Sequence, residues 1–237
     1  TITNDGNEDT LTLVSTDADS SFGPNLNFYR NSSSPADDDL LAQIDFNGRN
    51  DNSQDVLYAN IQTQIIDASD GTEDGRFQIN TIVNGTDRNR FLLTPTETVL
   101  NDNSIDLDFR VESNGKQYML FVDGGNDVVG IGTSVPASYN ANADNVVIYD
   151  STGHTGITIA GDTDDYGNIY FAQGTSGSDA YRGYIQYGHS AVSDSNYRDS
   201  ILFGTATLER MRIFGDGSVG LGTNWNGTKD SPFKVMG

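Results

Sequence analysis

Met119-Leu120-Phe121-Val122, a turn, and Val129-Gly130-Ile131-Gly132-Thr133 form the stretch on which the fold hinges, because the chain repeats it. The second copy is Met211-Arg212-Ile213-Phe214, a turn, and Val219-Gly220-Leu221-Gly222-Thr223, with a turn two residues shorter. Each copy reads as a β-hairpin with a Gly/Asp/Asn tip. Residues two apart share a strand face. Val and Ile (or Leu) therefore occupy one face, and glycine alone the other. A glycine inside a strand weakens an isolated sheet but lets another backbone approach closely. Found twice in one register, it predicts crowding at a symmetry axis, with Gly130, Gly132, Gly220 and Gly222 in contact between three chains. From this feature alone, two ordinary glycine-rich turns stand as the alternative.

Working outward, Arg90-Phe91-Leu92-Leu93, Thr94-Pro95 and Val99-Leu100 read as a fainter third hairpin. Larger units repeat more loosely. Asn25-Leu26-Asn27-Phe28 resembles Asn168-Ile169-Tyr170-Phe171. Gln43–Gly48 resembles Tyr184–His189, and Gly85-Thr86 echoes Gly204-Thr205. The organisation expected is a β-module over 1–100, a hairpin connector over 101–141, and a second β-module with a terminal hairpin over 142–237. Such periodicity points to an elongated, module-by-module architecture.

Strand signals fill the modules. Ile105, Leu107, Phe109 and Val111 alternate with Asp106, Asp108, Arg110 and Glu112, which predicts a strand over 104–113. Further strands are expected at 11–14, 26–29, 43–46, 56–66, 77–83, 146–149, 156–160, 168–172, 184–187 and 201–203. No helical stripe is present, and 26 glycines punctuate the chain.

Composition bounds the function. Hydrophobic residues make up only 35%, low for a compact monomer, yet Tyr and Phe each number 11. An ordered protein whose interior is shared between chains reconciles the two. A net charge of −21 repels phosphate backbones and anionic membranes, so nucleic-acid binding and membrane insertion are not expected. No apolar run approaches the ~20 residues of a membrane span, and no signal-peptide pattern is present. There is no cysteine, hence no disulfide or thiolate site. The chain opens at Thr1 and reads as a piece of a longer protein.

The repeated hairpins carry a resemblance. Residues 210–223 are similar to a signature of bacteriophage tail fibres and tailspikes, and residues 123–133 are a second copy. Residues 167–190, and 11–19 with 71–75, resemble the shaft sequence of such fibres. That signature often lies upstream of an endosialidase-type intramolecular chaperone, of which residues 1–237 show no sign. The resemblance implies an all-β, elongated homotrimeric fibre of short antiparallel strands and hairpins, with β-prism or triple-stranded β-helix-like modules. It implies a virion location, tail-fibre or other virion proteins as partners, and a part in host attachment.

Glycoside hydrolysis needs two carboxylates flanking a cleft. With so many aspartates, spacing selects none; Asp162, Asp164 and Asp165 beside Tyr166 read as a solvated loop. His154 and His189 lack zinc spacing, and no Gly-x-Ser-x-Gly elbow is present. Gly124–Asp127 reads as a hairpin turn, since calcium β-rolls need tandem copies. Gly130–Thr133 lacks the lysine of a phosphate loop. No catalytic residue, metal or cofactor is expected, and the protein is read as a non-enzyme. A tailspike depolymerase and a bacterial surface adhesin are the alternatives. The aromatic residues remain. Tyr166, Tyr170, Tyr181 and Tyr184, with Trp225, are the expected ligand-binding set for host polysaccharide or lipopolysaccharide, because a phenol ring stacks on a sugar face and its hydroxyl bonds the rim. Packing of these tyrosines between chains is the alternative.

Overall fold

The computed structural model describes residues 2–222. Among them there is no α-helix; the strands are joined by turns and three short 3-10 segments, Pro136–Ser138, Gly177–Tyr181 and Ser195–Tyr197. Glycine spacing too dense for a helix becomes a run of antiparallel meanders.

The described residues divide into two compact units between His154 and Thr155. The first holds two sheets. One is β1 (Leu40–Arg49), β2 (Asp55–Asp67), β3 (Asp74–Val83), β4 (Thr86–Leu93) and β5 (Thr98–Leu100), in sequence order. The other is β6 (Phe109–Val111), β7 (Leu120–Asp123), β8 (Val128–Ile131) and β9 (Val146–Ile148). The second unit holds β10 (Tyr166–Phe171), β11 (Gly183–Gly188), β12 (Ser200–Thr205), β13 (Leu208–Ile213) and β14 (Val219–Leu221). Every neighbouring pair is antiparallel except β8 and β9, which run parallel. That parallel pair draws residues 146–148 into the middle sheet.

All three hairpins read from sequence form: β4–β5, β7–β8 and β13–β14. One expected strand forms only in part, and three do not form. Residues 104–108 alternate well, yet only Phe109–Val111 pairs. Asn101 and Ser104 both take positive φ, 62° and 48°, and turn the chain. The Asn101 amide then donates to the Ile105 carbonyl at 2.8 Å. The loop closes on the β7–β8 tip, where a Cβ on Gly124 would stand 2.4 Å from the Leu107 carbonyl oxygen. Leu11–Val14, Leu26–Tyr29 and Gly156–Ala160 belong to no strand either.

The loose repeat also needs correcting. The two five-stranded meanders correspond strand for strand, so β1 matches β10 and β2 matches β11. Gln43–Phe46 is therefore the counterpart of Asn168–Phe171, and Asn60–Gln62 of Tyr184–Gln186. Asn25–Phe28, which the sequence offered instead, lies outside the sheet.

Candidate functional site

The registers place an apolar residue on every strand of each sheet, side by side. In the first sheet Ile44 pairs with Ile61, Ile61 with Ile79, Ile79 with Phe91, and Phe91 with Leu100. In the second unit Ile169 pairs with Ile185, then Phe203, Met211 and Leu221. The middle sheet carries Phe109, Val122, Val129 and Val146 in one row. Paired residues project to one face, so each row is a continuous apolar band.

None of these residues is buried. Ile44 and Leu100 are 39% and 47% exposed, and Ile169 and Leu221 are 47% and 48%. In the second unit Phe171, Tyr187, Ile201, Leu208 and Val219 stand exposed on this same face. In the first unit a cleft of about 590 Å³ is lined by Leu100, Phe109 and Val122 from two rows, with Arg90, Asp108 and Asp123.

The opposite faces are largely closed. In the first sheet, Gln78 donates to Gln62 and Gln62 to Gln43, both at 2.7 Å. The buried Asn80 amide donates to Asn60 at 3.0 Å. Leu92 is buried on the same face, opposite Gln78. In the second unit this face holds buried Leu202 and Arg212. Arg212 donates through Nε to Glu209 at 2.7 Å, through a second nitrogen to the other Glu209 oxygen, and to the Asn196 carbonyl at 2.6 Å. Its guanidinium lies 4.1 Å from the Tyr197 ring centre and 5.3 Å from that of Phe214. Burial acts to lower the pKa of Arg212, but the Glu209 carboxylate overcomes it and raises the pKa above the ordinary arginine value. Sequence reading passed over this residue. Its one visible signal was the Glu209-x-x-Arg212 spacing.

The expected binding tyrosines come together in part. Tyr170 and Tyr184 are cross-strand partners on the face opposite Ile169 and Ile185. Tyr170 and Tyr181 are exposed, with ring centres 6.1 Å apart and planes tilted by 47°. Tyr184 and Tyr166 are half-buried, and burial pushes both phenols above the ordinary tyrosine range, aided by Glu209 at Tyr184 and Asp194 at Tyr166. Tyr166 meets Tyr197 edge-on at 6.2 Å. The exposed platform is thus Tyr170 with Tyr181, and Tyr184 backs it. Trp225 lies outside the described residues.

Of the repeated glycines, Gly130 and Gly132 lie against the chain's own backbone. Gly132 and Gly222 take φ of 83° and 108°. Each donates its N–H to the residue before the hairpin methionine: Gly132 to Tyr118 at 2.7 Å and Gly222 to Arg210 at 3.0 Å. A Cβ on Gly132 would stand 2.1 Å from the Tyr149 oxygen, and one on Gly130 2.5 Å from the Thr133 oxygen. Gly220 is buried. The second glycine of each pair is fixed by left-handed φ, which a side chain resists.

Asp162 turns its carboxylate onto the Thr163 N–H, as a solvated loop does. His189 packs edge-on against Tyr187 at 5.1 Å. Among the described residues no three His, Cys, Asp or Glu side chains are grouped to hold a metal ion, and no helix is long and apolar enough to cross a membrane.

No protein-family model matches the chain, and no curated protein does. Two solved structures are similar over 96% of it. The carboxy-terminal domain of the bacteriophage T5 L-shaped tail fibre is 11% identical, with a TM-score of 0.35 and 94% of its own chain covered. The same domain with its intramolecular chaperone is 13% identical, with a TM-score of 0.34 and 67% covered. At these values the likeness carries no argument about function.

Proposed function

We propose that this chain is a structural and adhesive segment of a phage tail fibre, working as a homotrimer that displays or forms a binding region for host surface glycans. The observation that carries this reading is the open apolar row on each of the three sheets. A row across every strand of a sheet is what a core needs, yet the chain leaves these rows at its surface. Copies of the chain, bearing the same three rows in the same order, are the partner that fits all three at once.

Threefold association, rather than twofold, follows the resemblance of the repeated hairpins to fibre shafts. So does a place in the virion, beside other tail-fibre proteins, and a non-enzymatic role. The adhesive part rests on Tyr170 and Tyr181, whose exposed, tilted rings offer apolar faces to a sugar. Three copies on one rod raise avidity without new contacts.

Sedimentation equilibrium tests the assembly. Three chains of 25.6 kDa give about 77 kDa, the expected mass. A folded species at 25.6 kDa would overturn the reading. Glycan-array binding by the native chain, lost in Tyr170→Ala/Tyr181→Ala at unchanged mass, tests the adhesive part.

A further inference from the structure

We infer that Leu11–Val14, Leu26–Tyr29 and Gly156–Ala160 are strands without their partners, and that they pair with sheet edges of neighbouring copies of this chain. The inference rests on the homotrimer reading and goes beyond it. An open face can be covered by packing alone, whereas strand donation would thread the chains through one another.

Three observations carry it. First, these segments are extended, yet no backbone N–H or C=O within them has a hydrogen-bond partner among the described residues. An extended chain with all its main-chain groups free gains nothing from staying extended. Second, their apolar side chains are largely exposed, although Ile159 lies beside Gly167 of its own chain. Leu11, Val14, Leu26, Phe28, Tyr29 and Ile157 are all more than half exposed. Ile157 and Ile159 share a face, as do Leu11 and Leu13. Such a pattern suits a half-buried strand and is out of place in a solvated loop.

Third, the sheets offer matching vacancies. The outer strands β5, β6, β9 and β14 have three residues each. The outer strands β1 and β10 have ten and six. A long free edge is a ready template for another strand. β1 bears no proline, and Ile44 and Phe46 flank Asp45 along it. The N-terminal segments are assigned to the β1 edge of a neighbouring copy, and Gly156–Ala160 to its β10 edge. A second copy is favoured over a foreign peptide because donors and acceptors occur together in both units.

Hydrogen exchange read by mass spectrometry on the intact assembly tests this. Peptides covering 10–16, 25–30 and 156–161 are expected to exchange about a hundredfold more slowly than an unstructured chain. If the mass is trimeric and these peptides exchange at the unstructured rate, strand donation is wrong and the trimer stands. If the mass is monomeric, both fail. Proline variants give a second measurement. Thr12→Pro and Thr158→Pro each remove an N–H that has no partner among the described residues. Each is expected to lower the melting midpoint of the assembly by about 5 °C, while Thr12→Ala and Thr158→Ala leave it nearly unchanged. Equal midpoints for proline and alanine would overturn the inference; should a proline variant fail to fold, exchange in the native chain decides.

Discussion

The meander of β1–β5 and the meander of β10–β14 share one face and differ in the other. The open row has the same character in both, Ile44-Ile61-Ile79-Phe91-Leu100 against Ile169-Ile185-Phe203-Met211-Leu221. The closed face is an amide ladder in the first and an ion pair held between aromatic rings in the second. Two chemistries therefore solve the inner face, while the outward row keeps one. A feature kept through so much divergence between two halves of one chain marks the row as the common requirement. A face that met only water would not need apolar residues on every strand.

The largest expected effect breaks the shared face. Phe203→Asp puts a carboxylate in the centre of the second row, and Ile79→Asp does the same at the matching place in the first. If the rows are buried between copies, each substitution costs roughly 3 kcal/mol or more per chain. The expected outcome is loss of the 77 kDa species, three times 25.6 kDa, in sedimentation, with Phe203→Leu retaining it. A trimer that tolerates both aspartates would show that neither row is an interface. Loss with one variant alone would show that one meander carries assembly and the other has a different task.

The next effect separates the closed faces. Arg212 is 3% exposed and its partner Glu209 15%. Arg212→Ala leaves that carboxylate half-buried without its cation and empties the space between Tyr197 and Phe214. Breaking a buried pair from one side costs about 3–5 kcal/mol. Asn80→Ala removes one neutral amide bond to Asn60 and costs about 1–2 kcal/mol. Denaturant unfolding should rank the two variants in that order. Equal losses would mean that the amide ladder works as a cooperative network of the same weight as the charged cluster.

These residues also show what sequence could tell. Gln43-Ile44-Asp45-Phe46 and its kin carry a period of two that a strand imposes, so the rows were legible as strands. That the rows face outward was not, because alternation gives the two faces without saying which one is covered. Residues 104–108 show the opposite failure. Their alternation is good, but Asn101 and Ser104 in left-handed φ decide the path, and neither is glycine. Arg212 stands between Met211 and Ile213 in the sequence, with nothing beside it to mark a buried charge. Only the fold brings Asn196, Tyr197 and Phe214 around it. Alternation alone sets Tyr170 and Tyr184 on the face opposite Ile169 and Ile185, yet their different burial depends on loops that periodicity does not describe.

The smallest effect concerns the middle sheet, which has neither an amide ladder nor a buried arginine. Its closing tie is an ion pair between Lys116 and Asp150 at 2.8 Å, joining the approach to β7 with the exit from β9. Asp150 also accepts from the Thr152 N–H and hydroxyl, both at 2.9 Å. Lys116 first, then Thr152, lower its pKa from 3.8 to about 2. The folded state therefore binds fewer protons than the unfolded one between these values. The contribution to stability is complete above the ordinary value, declines as pH falls, and is gone once pH passes below about 2. Both groups are partly solvated, so the effect on unfolding should be small and weakened by salt. The titration itself is the sharper readout. Carboxyl-detected NMR on Asp150 should give a midpoint near 2 in the native chain and a higher one in Lys116→Met, held below the ordinary range by Thr152. An unmoved midpoint would mean that Thr152 alone sets the charge of Asp150, and that the parallel β8–β9 pair is held by its backbone and its buried Val147 without the tie.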